Sequence, residues 1–269
     1  MKHWPILRLG WIILLIAVAV AQPASARDFC PDRPGIDTPL CTVEPGHLTA
    51  EMSFADWTHE ATPDDITDSY LIGDLLLRYG IAEHAELRVG WTPFGRNRTR
   101  DRQAGTIDSA SGTGDVTLGI KRNLIDPDGK AVSVALLPSV ILPTGGSAIG
   151  AGDWGAGLQV PLSMPINDLI SVALTPEVDA AVNQSGHGRH FAYGTAGGVS
   201  IAPMNGATLA IEAAVLRDDD PDGASTQAIA GAAMGIMVGR NAQLDVGSEF
   251  GLNRDAPDVH LYIGIARRF

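Results

Sequence analysis

The sequence has little of what helical membrane proteins and nucleic-acid-binding proteins depend on. Its strongly apolar uncharged run, Leu9 to Ala21, is shorter than the ~20 residues a membrane-crossing helix needs, and no second apolar run of that kind follows. Helical periodicity is nowhere persuasive, which argues against a bundle. Basic residues are scarce, with 19 Lys and Arg against 31 Asp and Glu and a formal net charge of -12. Phosphate binding needs clustered cations, and the only basic cluster runs from Arg96 to Arg102, so nucleic acid is not an expected partner. Aromatic residues make up 6% of the chain and cysteine occurs twice, while thirty-one glycines are scattered without a period.

The first residues have the layout of a secretory signal peptide: Lys2 and Arg8, the uncharged run, then Ala24-Ser25-Ala26. Cleavage is expected after Ala26. The mature chain then keeps 17 basic and 31 acidic residues, a formal charge of -14. In an oxidising periplasm Cys30 and Cys41 are placed to pair, and a disulfide is the natural reading. A metal site on these thiols would want histidines at ligand spacing, which are missing. The loop so closed holds Pro31, Pro34 and Pro39, each fixing its own φ.

From about residue 46 the chain divides into segments in which apolar and polar residues alternate, the period of a strand with two unlike faces. In Ser171 to Asn183, Val172, Leu174, Val178, Ala180 and Val182 share one face, and Ser171, Thr175, Glu177, Asp179 and Asn183 the other. Strands are predicted at 46–58, 69–79, 84–92, 113–123, 130–142, 152–165, 168–183, 190–202, 206–217, 224–239, 242–252 and 258–269. The links between them alternate. Short ones, such as Gly80 to Glu83 and Arg240-Asn241, take turns with longer polar ones at 93–112, 143–151, 184–189 and Asp218 to Gly223.

Twelve strands, alternating link lengths and an even count fit an all-β fold, a closed antiparallel transmembrane barrel of outer-membrane type. Closure has a physical cause, because a strand in hydrocarbon must pair every backbone group. The expected organisation is a signal peptide over 1–26, an N-terminal segment over 27–45 at the periplasmic side, and the barrel over 46–269. Outer-membrane lipid is then a partner. Trp57, Trp91 and Tyr79 lie where interfacial aromatics are expected.

Turning the polar face of each strand inward gives lumen and selectivity candidates: Glu51, Asp74, Arg78, Glu86, Arg88, Asp115, Lys121, Glu177, Asp179, Glu212, Asp245, Glu249, His260 and Arg268. Acids exceed bases among them, so an open lumen would favour cations or neutral solutes, whereas pairing between Arg and Glu would fill it. Twelve strands enclose more than the eight that side chains just fill, and less than a wide porin. The proline-rich segment Asp28 to Pro45 could enter from the periplasmic side as a plug.

Enzyme chemistry is not expected. No His-x-Ser pair of the kind used by a barrel phospholipase occurs, and the mature histidines have no nucleophile beside them. No cofactor or metal ligand set is assigned. His187-Gly188-Arg189-His190 reads as a solvated loop. Asp218 to Asp222 partly resembles a calcium loop, with Gly223 at position six but Ile229 where the closing glutamate belongs, so weak divalent binding is the most it offers.

Val259, Leu261, Ile263, Ile265 and Phe269 share one face of the last strand, and Phe269 ends the chain as given. This ending resembles the signal by which the barrel assembly machinery recognises its substrates. The run Gly112 to Lys121, the pair Leu137-Pro138, Leu142-Pro143-Thr144-Gly145 and the turn and strand Gly80 to Arg88 resemble the outer-membrane transporter family labelled for a MetA pathway of phenol degradation. The resemblance covers most of 45–269 and rests on turn and strand signatures. It implies a channel or transporter for a small-molecule solute, aromatic or hydrophobic in class. The competing reading is a closed barrel whose loops carry structural or surface interactions.

Overall fold

The computed structural model describes residues 27–269 apart from Asp128 and Ser147. The signal peptide expected over 1–26 lies outside the described residues. Sixteen strands are present: β1 (Leu48–Ala61), β2 (Asp65–Ile72), β3 (Leu75–Ala82), β4 (Ala85–Trp91), β5 (Phe94–Asp101), β6 (Ile107–Gly112), β7 (Val116–Ile125), β8 (Ser133–Leu142), β9 (Gly155–Gln159), β10 (Leu162–Pro165), β11 (Ile170–Val182), β12 (Arg189–Met204), β13 (Ala207–Asp218), β14 (Ser225–Met237), β15 (Ala242–Gly251) and β16 (Val259–Arg268). All pairings between them are antiparallel. β16 pairs back onto β1, Arg268 opposite Thr49, and closes the sheet.

Four staves of the barrel are each interrupted once, so sixteen strands make twelve staves. β2 passes into β3 through Gly73 at φ 73°. β4 gives way to β5 at Thr92-Pro93, β6 to β7 at Thr113-Gly114-Asp115, and β9 to β10 at Val160-Pro161. Proline cannot donate to a ladder, which accounts for two of these breaks. The predicted strand 152–165 is accordingly two strands. The stretch 93–112, expected as a loop, instead holds β5 and β6, which prolong the wall past one end of the barrel; β5 carries Arg96, Arg98 and Arg100, and Arg102 lies in the turn that follows it.

The apolar face points out. Leu87, Val89, Leu118, Ile120, Leu174, Val178, Ile211, Val215, Leu261 and Ile263 are all exposed on the exterior. Inside, Glu51, Arg78, Glu86 and Lys121 are fully buried. This inverts a soluble protein and matches a barrel whose outer surface is covered by hydrocarbon. Trp91 and Tyr79 are also exposed, while Trp57 donates its indole N–H to Asp68. β1 switches register between Ser53 and Ala55, a bulge that keeps Thr49, Glu51 and Ser53 inward below it and Asp56 inward above it.

Candidate functional site: the lumen and its N-terminal segment

The described residues ahead of β1 run inside the barrel. Cys30 and Cys41 form a disulfide, and the loop it closes is held from nearly all sides. The backbone N–H groups of Asp32 and Arg33 each donate to the Glu51 carboxylate at 3.0 Å. Those of Ile36 and Asp37 donate to the two oxygens of Glu212, also at 3.0 Å. Gly35 donates to the Tyr262 hydroxyl, Thr38 to Thr175 Oγ1, and Val43 to Glu86. A proline-rich stretch makes no ladder of its own, so its amides need side-chain acceptors from the wall.

Arg78 on β3 is the centre of this network. Its guanidinium forks onto Glu86 at 2.8 and 2.9 Å, reaches Glu51 and Asp32 at 3.0 Å, and donates to the backbone carbonyls of both Cys30 and Cys41 at 3.0 and 2.9 Å. The planar fork suits two carboxylates and two carbonyls in a way a single ammonium would not. Lys121 on β7 donates to Asp32 and to the Pro39 carbonyl, both at 3.0 Å, and Arg88 also bonds Asp32. Burial alone would raise the Asp32 carboxyl, but Arg78, Arg88 and Lys121 together outweigh it and hold Asp32 well below the usual carboxylate range. Further round the wall, on the other side of β1, Arg33 meets Asp245 at 3.0 Å, and it donates to Ser53 of β1 at 2.8 Å.

Of the sequence candidates, Glu51, Arg78, Glu86, Arg88, Lys121, Glu212 and Asp245 thus converge on the segment. Glu249 and His260 form a separate lumen group with Asp56, the ring nitrogens lying 3.1 and 2.9 Å from the two carboxylates. Glu177 accepts from Gln159 at 3.0 Å, on the same inward face as Asp179. Asp74 accepts from Thr92 Oγ1 at 2.6 Å. Asp115 accepts the backbone N–H groups of Gly145 and Ala151, both at 2.7 Å, and so fixes the 143–151 link. Arg268 sits at the rim, donating to the Arg27 carbonyl and to Asn241.

Asp32, Arg33, Asp37 and Tyr262 were not among those candidates. The first three lie in a segment with no strand pattern to assign them a face. The signal available was charge, since Asp28, Asp32, Arg33 and Asp37 recur among prolines where a solvated linker would not need them.

The segment does not fill the lumen. A cavity of about 900 Å³ remains at the end where Arg27 and Arg268 lie, lined by Arg33, Asp37, Ser200, Ala210, Met237 and Gln243 among others. Arg27, Arg240 and Arg268 also line it, so the acidic surplus read from the strands does not extend to this vestibule.

A closed twelve-stave barrel with an apolar exterior, a charged interior and an N-terminal segment bonded inside it is a porin-like barrel of the outer-membrane type. The match extends to a named group. Residues 31–269 match the family described as "Putative MetA-pathway of phenol degradation", and the chain belongs to that family. Among solved structures it is similar to an outer membrane channel from Pseudomonas putida F1, at a TM-score of 0.70 and 16% identity, covering 87% of this chain and all of that one. The translocator domain of autotransporter NalP from Neisseria meningitidis matches at a TM-score of 0.57 and 12% identity, covering 86% and 91%. The NanC porin matches at 0.53 and 10%, covering 82% and 98%. Nothing among curated proteins matches the chain.

Proposed function

We propose that the protein is a channel of the Gram-negative outer membrane that passes small solutes beside its docked N-terminal segment. The observation that carries this is the cavity of about 900 Å³ left between that segment and the wall, whose lining mixes charged and polar side chains with apolar ones. Lipid covers the exposed apolar band, and the barrel assembly machinery inserts the chain through the β16 strand ending in Phe269. Aromatic compounds are the cargo class to which the family's description points. Glu177 and Asp179, which make no bond to the segment, bias passage toward cations or neutral solutes.

A second reading is favoured by the density of bonds on the segment: a barrel closed at rest. Single-channel recording of the refolded mature protein in a planar bilayer separates the two. The channel reading expects discrete steps, reduced by phenol in the bath more than by a sugar of similar size. Silence from protein shown to be inserted, with steps appearing only after residues 28–44 are deleted, would establish the closed state instead.

A further inference from the structure

A second group of side chains lies far from the segment, at the end of the barrel opposite the short turns. His190 stands at the start of β12, Asp218 closes β13, and Asp220 follows in the link to β14. One ring nitrogen and one oxygen from each carboxylate lie within 4.8 Å of one another. His190 Nε2 is 2.5 Å from Asp218 Oδ1, and Nδ1 is 3.4 Å from Asp220 Oδ2.

Acidic residues near a histidine on a loop are common, and the grouping alone would mean little. The state of His190 adds to it. Its side chain is only 4% exposed, yet Nε2 has no hydrogen-bond partner among the described residues. The nearby carboxylate oxygen is close enough but not aligned for an N–H donor. A buried nitrogen left without a partner is costly. A lone pair directed at a cation shared with the carboxylate removes that cost.

The surroundings are those of a prepared ligand set. Nδ1 lies 3.0 Å from Asn183 Oδ1. A bond to that acceptor places the ring proton on Nδ1 and leaves Nε2 free to ligate, as outer-shell partners of metal-bound histidines do. The carboxylates are aimed by backbone amides: Asp220 N–H donates to Asp218 Oδ1 at 3.0 Å, Asp222 N–H to Asp220 Oδ1 at 2.7 Å, and Gln184 N–H to Asp220 Oδ2 at 2.6 Å. Each such oxygen keeps a second lone pair. Asp218 is 44% exposed at its side chain, so an ion is reachable from solvent and can complete its shell with water.

From this geometry we infer a divalent transition-metal site formed by His190, Asp218 and Asp220 at the outer mouth of the barrel. One imidazole with two carboxylates suits zinc and its first-row neighbours; calcium and magnesium take all-oxygen shells. A bound ion ties the link before β12 to the link after β13. Arg189, beside His190, is paired with Asp153 at 3.0 Å and stacked on Trp154, so the link leading into β9 is held to the same corner.

The test is zinc titration of chelator-stripped full-length mature protein in detergent, followed calorimetrically, with cobalt as an absorbing substitute. One equivalent of ion with a cobalt spectrum altered by His190→Gln is expected. His190→Gln and Asp218→Asn, which remove direct ligands, should each weaken binding by at least the roughly tenfold to hundredfold loss that follows removal of an outer-shell partner. His187→Gln, a loop histidine outside the group, should leave binding unchanged. Heat-modifiable migration confirms that each variant is folded. Absence of saturable uptake by the wild type, or uptake indifferent to His190→Gln, would overturn the assignment and leave His190, Asp218 and Asp220 as a polar contact between links.

Discussion

Asp37 of the N-terminal segment and Glu212 of β13 confront each other as two carboxylates, the Asp37 backbone N–H donating to Glu212 at 3.0 Å. Two such groups cannot both ionise cheaply in one place. Burial, and after it Glu212, push Asp37 up to about 7 from an ordinary 3.8. The docked segment therefore binds a proton that the released segment gives up between those values. By linkage, the contribution of Asp37 to docking is full below pH about 4, weakens as pH rises toward 7, and is gone above. Bilayer recordings across that window should show more frequent opening as pH rises. Asp37→Asn should flatten the response; an unresponsive wild type would refute the coupling.

Removing Arg78 should free the segment without opening the barrel. Arg78→Ala leaves Glu51 and Glu86 buried without their shared cation and strips a donor from the carbonyls of Cys30 and Cys41. Breaking a buried pair from one side costs about 3–5 kcal/mol. Limited proteolysis should then cut within residues 28–44 while the barrel retains heat-modifiable migration. Arg78→Lys should restore protection only in part, since an ammonium cannot fork onto two acceptor pairs.

Reduction of Cys30–Cys41 acts on the same equilibrium from the unbound side. The bridge joins residues eleven apart and limits the conformations open to a released segment, a contribution of about 2–4 kcal/mol for typical disulfides. Cys30→Ser with Cys41→Ser should raise conductance or its noise, and amide exchange should quicken in 28–44 but not in the strands. Exchange unchanged by the double substitution would mean that wall contacts alone hold the segment.

Gly247 lies opposite Tyr262 on the neighbouring strand, and a Cβ there would fall 2.1 Å from the Tyr262 ring. The ring lies over the glycine and presents its hydroxyl to Gly35. Gly247→Val should displace Tyr262 and loosen the segment at that point, giving the conductance change of Tyr262→Ala. A variant indistinguishable from wild type in both conductance and proteolysis would show that the ring has another place to go.

Alternation along the chain contained the barrel. In Ser171 to Asn183 or Glu86 to Trp91, one face meets hydrocarbon and the other does not, so the period of two is written in residue type. β5 and β6 escaped for the complementary reason. Arg96, Arg98 and Arg100 share one face and Asn97 and Thr99 the other, and where both faces meet polar surroundings the alternation disappears from the residue types. The inward direction of Glu51, Arg78, Glu86 and Lys121 was legible; their partners were not.

Those partners are set by closure. Arg33 meets Asp245 across 212 positions of sequence, and Ile36 meets Glu212 across 176. No local pattern records such separations, because each pair exists only once β16 has joined β1 and the segment has entered the space they enclose. The same holds for His190 with Asp218 and Asp220, which look like two unrelated polar loops until neighbouring strands bring their ends together. Sequence by itself determined the twelve staves of the barrel and their inner face, since the surrounding medium acts on residues one at a time. Tertiary structure alone decided which charges neutralise one another and which nitrogen of His190 is buried without a hydrogen bond, since those depend on distances that only the closed barrel fixes.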